Sequence, residues 1–247
     1  MFPLTHLYTA KEILGYETPH SAVGSLFPDF GVIIGHGRNL CHEMSRDLYD
    51  FACQHHDKPG MEFATAALTH DIALPGIDWY ADEEYHGVRT GFCFQQGQLI
   101  SERVAKACNL NHSMAVWKAH NVMEMGFDLL TEELHPGCGK VAYKVLSEPH
   151  NTDFKLLQAY LNCSCEQLDT MLQTGSRLFS YDGDVEDMAT KFIASLKGQN
   201  DALACDKSML MGLIYEAAEL IRPCYEDFMA ECFEAIKSKL NLMGVIG

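Results

Sequence analysis

Basic residues are scarce in this chain: 18 Lys and Arg stand against 34 Asp and Glu, for a net charge of −16, and no Lys/Arg run interrupts that balance. Binding to a nucleic-acid backbone or an anionic bilayer by charge attraction needs clustered cations, so both are disfavoured as partners. CxxC pairs are also absent. The ten cysteines are scattered, with a single CxC at Cys163 and Cys165, which is not the spacing of a thiolate zinc site. The opening stretch MFPLTHLYTAKEIL has neither the basic region nor the continuous apolar run of a secretory leader, so the expectation is a cytoplasmic location with buried free thiols. No stretch approaches transmembrane length, so no integral membrane segment is expected. Sustained period-two alternation, a glycine-rich phosphate loop and a long internal repeat are missing too.

What remains is a chain of 247 residues with 47% hydrophobic and 21% charged residues, ample for a core. Its apolar spacing is helical throughout, so the expected fold class is all-α, a multi-helix bundle. Helices are predicted over 4–14, 38–56, 60–72, 98–109 and around 117–130. Further helices follow over 139–147, 152–161, 165–179, 184–197 and 206–240, with Asp182 and Asp184 able to cap the helix after them. SAVGSLFPDFGVIIGHG is expected to turn at Pro28, and 74–94 reads as a loop rich in acids, aromatics and glycine. Ten of the twelve histidines lie at or before position 120. This divides the chain into a metal-binding helical core, 1–134, and a C-terminal helical region, 135–247, packed on it as a single domain. The apolar positions of 209–221 suit a core, with a homodimer face as the other use.

Trp117 to Leu130, WKAHNVMEMGFDLL, organises the rest. His120, Glu124 and Asp128 are spaced by four and share one helical face, so an imidazole and a carboxylate can close on one metal ion. Asp29, placed among apolar neighbours, needs a cation, a metal, amide donors or a capping role. His42 sits at the edge of an apolar stripe, and His70 shares a face with Phe63, Ala66 and Ala67. The 74–94 loop holds Asp78, Asp82, Glu83, Glu84 and His86. His6, Asp29, His42, His70, His120 and Glu124 are therefore the leading ligands, with Asp71, Asp78 and His86 beside them and Asp82 and Asp128 in reserve. Imidazole and carboxylate without thiolate suit zinc, manganese or iron, two to three ions in number. Such ions would lower the pKa of a bound water and neutralise phosphoester oxygens.

Thr5-His6, Pro28-Asp29, His42, His70 and the H-x-x-x-E pair His120/Glu124 occur in an order that resembles the zinc-dependent phospholipase C family, related to the zinc-dependent single-strand nucleases. The resemblance spans roughly residues 4 to 130. It implies an all-helical fold, a trinuclear zinc cluster and phosphodiester hydrolysis. Asp29 is the expected general base where the metal does not fully occupy it. The family's aspartate four residues after the histidine matched by His70 is Leu74 here, leaving Asp71 or Asp78 as its substitute, and the intervening histidine falls at His86. ATAALTHDIALPG also resembles the motif of HD-domain phosphohydrolases, which would use His42, His70, Asp71 and Asp128. A third reading is a helical metal-binding protein without turnover. A small-molecule or carrier-bound phosphoester is the expected substrate of the first.

Overall fold

The computed structural model describes residues 3–33, 38–72, 76–177, 182–199 and 204–246, excepting the side chains of 31–33, 38–43 and 198–199. The fold is all-α. In chain order the helices are α1 (Pro3–Leu14), α2 (Pro19–Ile33), α3 (Arg38–His55), α4 (Lys58–His70), α5 (Phe92–Gly97), α6 (Ser101–Cys108), α7 (His112–Leu134), α8 (Lys140–Ser147), α9 (Lys155–Leu161), α10 (Cys165–Ser176), α11 (Val185–Gln199), α12 (Lys207–Ile221) and α13 (Tyr225–Leu242). Among the described residues there is no strand, only an isolated bridge between Tyr85 and Val88. No helix among them is long and apolar enough to cross a membrane.

Local chemistry fixes the helix starts. Asp57 caps α4 by accepting the Gly60 amide, with Pro59 in the first turn, where the missing N–H costs nothing. Asn111 accepts the Met114 amide at the head of α7, and Ser164 and Gln167 form a reciprocal capping box on α10. Asp184 accepts the Glu186 amide ahead of α11, as the sequence suggests.

Two expectations are corrected. The chain does not turn at Pro28, because α2 runs through it. Pro28 forfeits the amide that would reach the Gly24 carbonyl, yet Ala22, Val23, Leu26, Phe27 and Phe30 are all buried on the same helix. Burying the valine, leucine and phenylalanine side chains contributes about 1.5–3 kcal/mol each, enough to hold one broken backbone bond. The single helix expected over 206–240 is instead α12 and α13, parted by a 3₁₀ turn at Arg222–Cys224. Pro223 lies in that turn and removes an amide, and the backbone leaves helical geometry at Cys224, with φ −126° and ψ 4°.

Packing then follows from small residues. α2 crosses α4 at Gly24, where an added Cβ would stand 2.1 Å from the Phe63 carbonyl oxygen. α7 crosses α12 at Gly126, where a Cβ would meet the Ala218 amide nitrogen at 2.8 Å. Leu210, Leu213, Ile214, Ala217, Ala218 and Ile221 of α12 are buried within the chain, which is the core use of this stretch. Phe92, Phe127 and Phe228 pack ring against ring between α5, α7 and α13. α7 is thereby packed on several sides along its middle, where Lys118, His120, Glu124, Asp128 and Thr131 are buried.

Candidate metal centre

Three helices deliver the first group of candidate ligands. His6 comes from the first turn of α1, Asp29 from the turn of α2 after Pro28, and His70 from the last position of α4. One ligand atom from each lies within 4.8 Å of the others. The close crossing of α2 and α4 at Gly24 brings the His70 Nδ1 to 2.6 Å from the Ser25 carbonyl oxygen. A carbonyl there takes the Nδ1–H and turns Nε2 towards the carboxylates, the ring orientation found in metal-binding imidazoles. Nε2 of His70 faces Asp78 Oδ2 at 3.2 Å, and Nε2 of His6 faces Asp78 Oδ1 at 3.4 Å. The two imidazoles are stacked, with centroids 3.5 Å apart and planes 10° from parallel. Asp29 Oδ2 is enclosed with no hydrogen-bond partner among the described residues.

Electrostatics at this group are set by its carboxylates. Burial opposes a charge on His70, but Asp78, through charge and hydrogen bond, outweighs it together with Asp29 and the Ser25 carbonyl. The result is a pKa pushed up to about 9. Burial by itself drives a histidine towards neutrality, so the carboxylates around His70 outweigh burial and favour positive charge there.

The second group is Asp82, His120 and Glu124, again with one atom of each within 4.8 Å of the others and all three buried. On α7 the spacing of four brings His120 Nε2 to 3.6 Å from Glu124 Oε1, and Asp82 Oδ1 lies 3.9 Å from the same nitrogen. His120 Nδ1 is held by the Trp117 carbonyl one turn earlier, repeating the carbonyl-anchored imidazole of His70. Asn121 donates to Glu124 Oε2 at 2.9 Å, which fixes the carboxylate. Phe94 stacks on the His120 ring at 4.1 Å, and Trp117, itself 43% exposed, leans on Phe94.

A single π-helical turn, Trp79–Glu83, joins the two groups. Asp78 precedes it and faces the first group, whereas Asp82 lies within it and faces the second. Inserted π geometry is uncommon and frequently marks functional sites. Two glycines seat this turn. A Cβ on Gly76 would lie 2.4 Å from the Asp71 amide nitrogen, and one on Gly91 would lie 2.2 Å from that of Asp82. The Gly76 amide donates to the Asp71 carbonyl and the Gly91 amide to the Asp82 carbonyl.

The expected ligands therefore part company. His6, Asp29, His70, Asp78, His120 and Glu124 fall into these groups, and Asp82, which the sequence left in reserve, joins them. His86 does not: its backbone is left-handed, its side chain is 65% exposed, and it pairs with Glu231 of α13 at 2.8 Å. Asp71 is fully buried as the residue that ends α4 but belongs to neither group of three. The side chain of His42, like Leu74, lies outside the described residues. Asp128 is committed elsewhere, accepting the amides of Leu4 and Thr5 and the Thr5 hydroxyl. The HD-type ligand set thus lacks its distant aspartate. No family model, curated protein or solved structure matches this chain.

Proposed function

We propose that the protein is a metal-dependent hydrolase of phosphoesters, with two divalent ions of the zinc type as its cofactor. The observation that carries this is the repeated arrangement of a buried imidazole, anchored at Nδ1 by a backbone carbonyl, whose Nε2 faces buried carboxylates. His6, Asp29, His70 and Asp78 would hold one ion, and Asp82, His120 and Glu124 the other. Nitrogen and oxygen donors in this mixture suit zinc, manganese or iron. Ions in such a pair supply positive charge to phosphoryl oxygens and acidify water.

The chain's own residues have distinct parts to play. With only 18 basic residues against 34 acidic ones, the protein has little cationic surface of its own with which to attract a phosphoester. Substrate anion recognition therefore falls to the loaded site rather than to arginine or lysine. Asp29 Oδ2, enclosed and without a hydrogen-bond partner among the described residues, would accept a proton from an attacking water where the metal does not fully occupy that carboxylate. Asn121 orients Glu124, and Phe94 covers one face of His120, limiting water access to that ligand. The order of ligands along the chain agrees with the resemblance to the zinc-dependent phospholipase C family, and a small-molecule or carrier-bound phosphoester is the substrate class proposed.

The test is elemental mass spectrometry on untagged protein, paired with hydrolysis of chromogenic phosphomonoesters and phosphodiesters. Two ions per chain are expected, falling in a His120→Ala, Glu124→Ala double variant. Glu124→Gln should fold yet lose hydrolysis. Folded protein that stays metal-free after incubation with zinc, manganese and iron would overturn the proposal. Two ions with no turnover of any ester would leave a metal-binding protein without hydrolase activity.

A further inference from the structure

The first turn of an α-helix has amides with no acceptor of their own, normally met by a capping side chain just before the helix. In α1 they are met from a distance. Asp128 of α7, separated by 123 residues from Thr5, accepts the Thr5 amide at 2.9 Å and the Thr5 hydroxyl at 3.0 Å, and the Leu4 amide also donates to it. One turn on, the Thr131 hydroxyl lies 3.1 Å from that of Thr5 and 2.8 Å from the Tyr225 hydroxyl of α13. Thr5, Asp128 and Thr131 are all buried, as is Tyr225. The next residue after Thr5 is the ligand His6, 1% exposed and stacked on His70.

A local cap would satisfy the same amides but would leave α1 free to rotate or slide against α7. The distant carboxylate removes that freedom. It also refers one ligand group to the other, because Asp128 lies one turn, about 6 Å of rise, beyond Glu124 on the same helix. We propose that Asp128 is a positioning residue for His6: by gripping the first turn of α1 it presets the His6 imidazole in the first ligand group, in fixed register with His120 and Glu124. This rests on the metal-site reading above and extends it to a residue that touches neither ion.

The experiment titrates cobalt(II) into metal-free full-length wild type, Asp128→Ala and Asp128→Asn, following the visible spectrum, with His120→Ala used to assign the two positions. Imidazole resonances of ¹⁵N-histidine-labelled, metal-free protein are recorded alongside. In Asp128→Ala, affinity at the His6/His70 position should fall about 10- to 100-fold with the other position nearly unchanged, the range seen when residues behind metal ligands are removed. Asp128→Asn keeps an oxygen facing Thr5 and should restore most of the loss. The His6 resonances should shift or broaden in the alanine variant and not in the asparagine one, while those of His120 stay put. Equal loss at both positions, no loss, or no rescue by asparagine overturns the inference. Should Asp128→Ala not fold, Thr5→Val stands in for it: it removes the hydroxyl's bonds to Asp128 and Thr131 and keeps the amide bonds, so a smaller loss confined to the His6/His70 position is expected, and unchanged cobalt binding and His6 resonances overturn the inference. If wild type takes up no cobalt, the metal-site reading fails, and the His6 resonances still decide whether Asp128 presets the ring.

Discussion

Gly24→Ala sets two physical effects against each other at the crossing of α2 and α4. Intrinsic helix propensity favours alanine by about 1 kcal/mol at an interior helix position. Packing opposes it: the new Cβ would stand 2.1 Å from the Phe63 carbonyl oxygen, 2.8 Å from its carbon and 2.9 Å from its Cα, all backbone atoms that cannot swing aside. Ordinary contact begins at 3.4 Å, so the helices must part by about 1.3 Å locally. Ser25 is the next residue on α2, and its 2.6 Å bond to His70 Nδ1 would stretch beyond hydrogen-bonding range. Overpacking costs about 1–3 kcal/mol and the lost buried bond a similar amount, so the net is a destabilisation of roughly 1–5 kcal/mol after the propensity gain. Equilibrium unfolding in urea reads the stability, and elemental analysis reads the metal. The expected outcome is a lower midpoint and, if the proposed site binds metal, loss of the ion at His6, Asp29 and His70. A variant about 1 kcal/mol more stable than wild type, with its metal retained, would refute the packing argument.

Burial pushes the Asp128 carboxyl up to about 7, against the donors Thr5 and Leu4. Between about pH 4 and pH 7 the folded metal-free protein therefore holds a proton that the unfolded chain has released, so stability falls as pH rises through that window. Asp128→Asn does not titrate there, and wild type should lose on the order of 4 kcal/mol relative to it between pH 4 and pH 8 in urea unfolding with chelator present. Parallel pH curves for the two proteins would contradict this. His86→Ala removes an exposed residue from an exposed pair with Glu231, and should change stability by no more than about 0.5 kcal/mol with metal content intact. Asp206→Ala deletes the acceptor of the Met209 amide at the head of α12 and should lower stability by about 1 kcal/mol without altering metal content, as seen by the same two measurements.

The all-α class was legible because helical spacing runs through nearly the whole sequence, and α7 announced itself by placing His120 and Glu124 on one face within an apolar frame. His6, Asp29 and His70 could be nominated singly, but what unites them is the glycine crossing of α2 and α4, a contact between helices that no local spacing reveals. Pro28 misled because a local breaker signal was read without the tertiary burial that overrides it. Pro223 went unread because the apolar pattern continues on both sides of it. In 74–94 the sequence offers more oxygen and nitrogen donors than a site can use, and a five-residue π turn is too short to leave a periodic trace. The spacing of four between Asp78 and Asp82 was the available signal. It was outweighed by His86, whose left-handed backbone turns it towards Glu231.

A π turn is, in length, an α-helical turn with one residue too many. That surplus makes the joint between the two ligand groups sensitive to insertions and deletions in a way that no substitution reproduces. Deleting Tyr80 would let the segment settle as an α turn, leave Asp78 before it, and carry Asp82 around by about 100° relative to His120. If the proposed two-ion reading holds, one codon lost would leave only the group at His6, Asp29 and His70 able to hold an ion, an outcome that metal stoichiometry of the shortened chain would report directly. A change of chain length at 79–83 would thus alter how the two candidate groups face each other, where a substitution would alter only one side chain.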